Sequence, residues 1–292
     1  MLAEAAHGRS VIINADSQQV YPELRVLTAR PSVTNEDRVP HRLYGHHSGG
    51  EPYSVVQWRN EALAAIAEAE SGDCVPIVVG GTGLYFRALL GGIAEVPDIP
   101  ADIRAEVRER LDRLGSEALY ANLIERDAET AALIAPGDGQ RVARALEVIE
   151  ATDKSLRAWQ RDAEEGPKLE PAARVVLWPD RAVLHQRIAQ RFKAMIEGGA
   201  LDEVAALNTL GLDPALPVMK ALGVRELTAY LTGELELESA IEKAETATRR
   251  FAKRQMTWFR NQMADWRSVP ISPSAPTQQM ESIFREIFPF IR

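Results

Sequence analysis

The 292 residues include one cysteine, Cys74, so no internal disulfide, zinc ribbon or redox pair can form, and a reducing, cytoplasmic setting is expected. Long apolar runs are also missing. The apolar start around Ala3 and Ala6 is broken by Glu4, His7 and Arg9, and no window reaches the ~18 apolar residues of a membrane span, so neither a leader nor an anchor is predicted. Positive charge is in deficit, 34 Lys and Arg against 42 Asp and Glu, for a formal net charge of −8. That argues against a protein that coats nucleic acid without regard to sequence, but leaves room for a local basic groove. Neither G-x-x-x-x-G-K-[ST] nor G-x-G-x-x-G occurs, and there is no internal repeat or low-complexity tract. With 46% apolar and 26% charged residues, the chain should fold as one large globular domain or two smaller ones.

Three β-branched runs predict strands: Val11 to Asn14, Val75 to Val79, and Arg174 to Trp178. The second opens into Gly80-Gly81-Thr82-Gly83 and a helical pattern, and the third into Pro179-Asp180 and a helix up to Gly198-Gly199. Apolar strands alternating with amphipathic helices describe a parallel α/β sheet. From Pro97 to Pro171 the pattern becomes helical alone, which reads as an insertion. Pro100 starts one of its helices and Gly115 ends it. Asp138 caps another that buries Val142, Leu146 and Ile149 and exposes Gln140, Arg141 and Arg144. Residues 161–171 read as the linker back, and the final third as helical, with a long segment from Glu238 to about Trp266.

Several constellations could carry chemistry, each beside a plainer reading. Gly80 to Gly83 after a strand could aim amides at an anion, or simply allow close packing in a tight turn. Asp16 at the carboxyl end of the first strand could act as a general base, hold a metal, or cap a turn. His41, His46 and His47 lie in a loop without metal-ligand spacing, and a metal site there is disfavoured. Arg249, Lys253 and Arg260, with Phe251 and Trp258 among them, could follow an RNA backbone or form a solvated helix face.

Taken in order, the chain resembles the bacterial tRNA dimethylallyltransferases, or isopentenylpyrophosphate:tRNA transferases. The resemblance rests on Asp16-Ser17-Gln18-Gln19-Val20-Tyr21, Thr28-Ala29-Arg30-Pro31, Pro40-His41-Arg42-Leu43 and Pro52-Tyr53-Ser54-Val55. It continues through Val79-Gly80-Gly81-Thr82-Gly83-Leu84-Tyr85, the segment from Gln140 to Glu147, the segment from Lys220 to Leu227, and that from Lys253 to Arg260. The family implies a P-loop-NTPase-like parallel α/β core, here residues 1–97 and 172–292, with a helical tRNA-binding insertion over 98–171. It implies transfer of a dimethylallyl group from dimethylallyl diphosphate to N6 of the adenosine 3′ of the anticodon, with Mg²⁺ whose ligands are not identified, by a cytoplasmic monomer. By position, Asp16, Thr82, Lys220 and Arg225 correspond to catalytic residues, with Asp16 as general base and Lys220 and Arg225 near the diphosphate. Contacts to tRNA fall on Asp16, Ser17, Gln18, Gln19, Thr82, Arg104, Gln140, Arg141, Val142, Ala143, Arg144, Lys253, Arg254 and Arg260. Lys220 stands where the family commonly has Arg or Gln.

The family opens with a strand and a phosphate loop, G-P-T-A-S-G-K-[ST], whereas this sequence begins, at Met1-Leu2-Ala3-Glu4, within the helix that follows. A start placed at an internal Met is therefore expected. The alternatives are a catalytically impaired tRNA-binding remnant and a small-molecule P-loop kinase, which would share the core layout without needing the basic helix.

Overall fold

The structure, a computed structural model, describes residues 9–164 and 168–271. The family-like opening at residues 1–4 and the Gly166-Pro167 portion of the expected linker lie outside the described residues. The chain divides into two compact units, one formed by Arg87–Leu169 and the other by the chain on either side of it.

In the larger unit, β1 (Ser10–Asn14), β2 (His41–Arg42) and β3 (Val75–Val79) form a parallel sheet in the order β2-β1-β3. A second parallel sheet pairs β4 (Val175–Pro179) with β5 (Arg267–Ile271). All the strand pairings described are parallel, as the sequence pattern predicts, but they fall into two sheets. Two strands carry no β pattern of their own. β2 is two residues long, and Arg267, Ser268 and Pro270 break any apolar run in β5, where a proline is tolerated because the strand is an edge.

Helices α1 (Val33–Arg38), α2 (Val55–Ser71) and α3 (Gly83–Gly91) follow in the N-terminal part. Ser54 starts α2 by accepting the amide of Gln57, and the buried face Trp58, Ala62, Ala65, Ile66 and Ala69 packs on β1 and β3. Asp180 caps α8 (Arg181–Glu197), which is followed by α9 (Ala200–Thr209), a 3₁₀ turn at Val218–Lys220, α10 (Val224–Leu231) and α11 (Leu237–Gln262). Phe192, Met195, Val204, Leu207, Val224, Leu227 and Ala244 from these helices enclose Val20, Tyr21, Leu24 and Leu27 in one core. The segment after β1 is thus anchored in the helical layer, not on the sheet.

The smaller unit holds α4 (Ala101–Arg126), α5 (Ala128–Ala131), α6 (Gly139–Thr152) and α7 (Leu156–Glu164). Gly115, at φ 78°, breaks α4 where the sequence predicts a stop, but a second helical stretch continues to Arg126. Helix α7 extends past Arg161, where a linker is expected, because Gln160, Arg161, Asp162 and Ala163 suit an exposed helix as well as a loop. Val107, Leu119, Leu123, Val142 and Leu146 form this unit's core, flanked by an ion-pair network in which Glu150 takes Arg110 at 2.5 Å and Arg126 at 3.1 Å.

Candidate active site

The site is built at the carboxyl end of β1, and its architect is Asn14, which is fully buried. The Asn14 amide Nδ2 donates to the carbonyls of Asp16 and Leu43 at 3.0 and 2.9 Å, while Oδ1 accepts the Asp16 amide at 2.8 Å. The Asn14 carbonyl accepts Trp58 Nε1 at 2.8 Å, and Trp58 stacks on Tyr85 with ring centroids 4.1 Å apart. These bonds fix where the chain turns and how Asp16 leaves the strand.

Asp16 is half-buried. One carboxylate oxygen accepts the Gln18 amide at 2.9 Å, the bond of a turn-forming aspartate; the other has no hydrogen-bond partner among the described residues. Burial pushes its pKa above the ordinary carboxylate range, against the lowering pull of the Gln18 amide and of Arg191 on α8. The same environment pushes the Tyr44 phenol up to about 12, through burial first and then the charges of Asp16 and Glu36. Tyr85 is raised too, by burial and then by Tyr21, Asp16 and Glu61. A carboxylate of raised basicity among neutral phenols can take a proton from a weakly acidic donor.

The glycine-rich turn backs this carboxylate, and at each of its three glycines a Cβ would meet a close neighbour. A Cβ on Gly80 would lie 2.1 Å from the Ala15 backbone, one on Gly81 2.0 Å from Gln255, and one on Gly83 2.1 Å from Trp258. Between them, Thr82 donates its amide to the Ala15 carbonyl, accepts the Ser17 amide at 2.9 Å and reaches the Ser17 hydroxyl at 3.2 Å. Of the two readings the turn allowed, close packing is the one this geometry supports. Gln18 ties in a third segment, since its Oε1 accepts the Leu222 amide at 3.0 Å, two residues beyond the exposed Lys220 and three before the exposed Arg225.

Asp16, Ser17, Gln18, Gln19 and Thr82 therefore form one bonded cluster, joined to the 220–225 segment by Gln18 and to α11 by Gln255. Lys253, Arg254 and Arg260 are exposed on α11, where Arg250, Lys253, Arg254 and Trp258 help line a groove of about 500 Å³. In the smaller unit, Gln140, Arg141 and Arg144 share the exposed face of α6, with Arg141 beside Asp138 and Arg144 beside Glu147, each at 3.4 Å. Val142 and Ala143 are buried in that unit's core, so only Gln140, Arg141 and Arg144 of this segment present side chains to solvent. Arg104 is half-buried and donates to the Ile99 carbonyl at 3.4 Å.

His46 and His47 belong to a bonded cluster with Tyr53 and Glu61. His46 Nε2 lies 2.8 Å from Glu61, whose carboxylate also takes the Tyr53 hydroxyl at 2.5 Å, and His47 packs on the Tyr53 ring. Burial pushes Glu61 up, but the bonds from Tyr53, His46 and Gln57 outweigh it and hold the carboxyl below its usual range. Among the described residues no group of three His, Cys, Asp or Glu side chains that could hold a metal ion is found.

Residues 19–262 match the family model described as IPP transferase, and the chain belongs to that family. It is 49% identical over 264 residues to the tRNA dimethylallyltransferase of Agrobacterium fabrum strain C58, covering 89% of this chain and 88% of that protein. To the tRNA dimethylallyltransferase of Parvibaculum lavamentivorans it is 48% identical over 290 residues, 99% of this chain and 90% of the relative. Among solved structures, the tRNA isopentenylpyrophosphate transferase of Bacillus halodurans superposes with a TM-score of 0.68 at 32% identity, covering 100% of this chain and 90% of that one. A eukaryotic dimethylallyltransferase shares the fold with a TM-score of 0.81 at 24% identity, over 100% of this chain and 76% of that one. The family is a prenyltransferase class with a P-loop-NTPase-like fold, and no described helix is long and apolar enough to cross a membrane.

Proposed function

We propose that this chain transfers the dimethylallyl group of dimethylallyl diphosphate to N6 of the adenosine 3′-adjacent to the anticodon of tRNA, in the cytoplasm and as a monomer. The observation that carries the reading is the Asp16 carboxylate, half-buried, raised in basicity and with one oxygen unclaimed among the described residues, in a chain of this family. An exocyclic amine on an aromatic ring is a poor nucleophile, so attack needs a base to take its proton. Asp16 accepts the N6 proton as N6 forms a bond to the allylic carbon. As that bond forms, the carbon–oxygen bond breaks, and diphosphate departs with the electron pair. Lys220 and Arg225, both exposed cations joined to the Asp16 segment through Leu222 and Gln18, answer the charge that develops on the leaving group.

A base inside an RNA stack must be turned out before a side chain reaches N6. In this reading the helical unit binds tRNA through Arg104 and the α6 face, while α11 follows the backbone through Lys253, Arg254 and Arg260. Mg²⁺ would accompany the diphosphate and offset its charge.

The test is incubation of the purified chain with tRNA and dimethylallyl diphosphate, with mass analysis of the nucleosides. Prenylated adenosine formed by the chain and lost in Asp16→Asn is expected. Tight tRNA binding without product would mark a remnant, and ATP consumption without prenylation a kinase.

A further inference from the structure

Arg30 holds a largely buried positive charge that makes no hydrogen bond to a carboxylate and only a long ion pair. Its side chain is only 7% exposed, and its nearest carboxylate oxygen, on Glu36, stands 3.9 Å away, beyond hydrogen-bond reach. Both Glu36 oxygens are taken by Arg25, at 3.2 and 3.1 Å. Arg30 Nε is buried with no partner. Its guanidinium lies against Gly45 so closely that a Cβ there would fall 2.0 to 2.4 Å from Nη1, Cζ and Nη2. Burial, and then the charge of Arg25, lower the Arg30 pKa, with Glu36 and Glu203 opposing. Native proteins rarely take a guanidinium out of water without pairing it, since an unpaired buried charge is costly.

The surrounding chain is built to keep Arg30 where it is. Glu203 accepts the amides of Arg25, Val26 and Leu27, at 2.7 to 3.0 Å. Gln19 Nε2 donates to the carbonyls of Thr28 and Ala29, and Arg25 Nη1 to that of Pro31. Ala29 sits at φ 53° and Leu43 at φ 63°, the left-handed region that side chains disfavour, on the two segments that meet at Arg30 and Gly45. Those segments belong to the Asp16 cluster, because the Gln19 carbonyl accepts the Gly45 amide and Asn14 holds Leu43.

We propose that Arg30, on a segment bonded to the Asp16 cluster through Gln19, forms an oxyanion site, taking the phosphate oxygens of a bound substrate in the fork geometry that suits a guanidinium. The inference rests on the prenyl-transfer reading, in which both substrates bring phosphates: the tRNA backbone and the donor's diphosphate. The chemistry is common to both, and experiment separates the sources.

The experiment compares Arg30→Gln and Arg30→Lys with the unaltered chain, using tRNA binding at several salt concentrations, thermal shift by inorganic pyrophosphate, and the KM for dimethylallyl diphosphate. Removing the guanidinium should weaken one substrate by about 10- to 100-fold, the range for a hydrogen bond to a charged group. If the partner is a tRNA phosphate, tRNA affinity falls, its log-log salt slope drops by about one, and the pyrophosphate shift persists. If it is the donor, KM rises, the pyrophosphate shift shrinks and tRNA binding holds. Arg30→Lys, which keeps the charge but not the fork, should show the same loss at a smaller size. Without ligand, Arg30→Gln should melt no lower than the unaltered chain. A lower melt with both substrates bound normally would make Arg30 a structural residue and overturn the proposal. If Arg30→Gln does not fold, unchanged binding by Arg30→Lys overturns it equally. Should the unaltered chain bind neither tRNA nor pyrophosphate, the prenyl-transfer reading fails and the proposal with it, whereas a chain that turns over normally without Arg30 sinks the proposal alone.

Discussion

Gln255 donates its side-chain amide to the carbonyl of Gly81 at 2.6 Å, so the helix with the basic face is fastened directly to the turn behind Asp16. Breaking that fastener should affect the chemistry more than the fold. Gln255→Ala loses one partly buried hydrogen bond, about 1 kcal/mol. Turnover should fall while tRNA affinity stays near normal. Gly81→Ala should be partly rescued by Gln255→Ala, because the clash is with a flexible side chain, whereas Gly80→Ala meets the Ala15 backbone and has no such remedy. Rates and melting points of the two single variants and the double variant test this; simple additivity would refute it.

Asp16 trades stability for basicity. Its folded pKa is raised by burial, so the folded chain holds the proton more tightly than the unfolded chain does. The associated stability is present at low pH and is lost as pH rises from the ordinary carboxylate range through the raised value. Turnover, which needs the ionised form, should climb through the same window. Asp16→Asn should therefore melt higher than the unaltered chain at neutral pH, with the difference vanishing in acid, while turnover drops by ~10²- to 10⁴-fold. A melting difference that does not change with pH would contradict the account.

Asn14→Ala tests the frame under Asp16. It removes three side-chain hydrogen bonds and strands the Leu43 carbonyl and the Asp16 amide, a loss of about 2–4 kcal/mol. Equilibrium denaturation measures it, and a change below 1 kcal/mol would show that the turn holds without its asparagine.

Arg141→Ala with Arg144→Ala should lower tRNA affinity and its salt dependence, and Arg141→Ala alone should do so without moving the melting point. Arg141 and Asp138 form an exposed pair, which adds little to stability, whereas Arg144 meets the buried Glu147. Equal tRNA binding at low and moderate salt would show a merely solvated face.

Much of this was legible in the sequence wherever the signal was local. The strand Val75–Val79 is read to the residue because it is an unbroken apolar run ending at glycine. Asp16 is legible as a candidate because strand ends place side chains at the edge where ligands of parallel sheets bind. The bonds that give the cluster its shape join distant residues: Gln18 to Leu222, Glu203 to Arg25, Gln255 to Gly81. No periodicity marks them. The glycine-rich turn was ambiguous for the same reason, because what fills the space beside each glycine comes from Ala15, Gln255 and Trp258. Arg30 gave no hint of burial, since a cation in a polar loop ordinarily reads as solvated.

Those same bonds bear on synthesis. The partners of the segment from Asp16 to Arg30 lie up to 204 residues downstream, in Glu203 and Leu222, and Gln255 follows Gly81 by 174. At ~5–20 residues per second, translation delivers Leu222 roughly 10–40 s after Gln18. Until then Leu24 and Leu27 have no core to enter, as the helices that enclose them have not left the ribosome. Nascent chains stalled before α9 should expose this segment to protease, and chains stalled after α11 should protect it. The loop that carries Asp16 is thus made well before the helices it folds against.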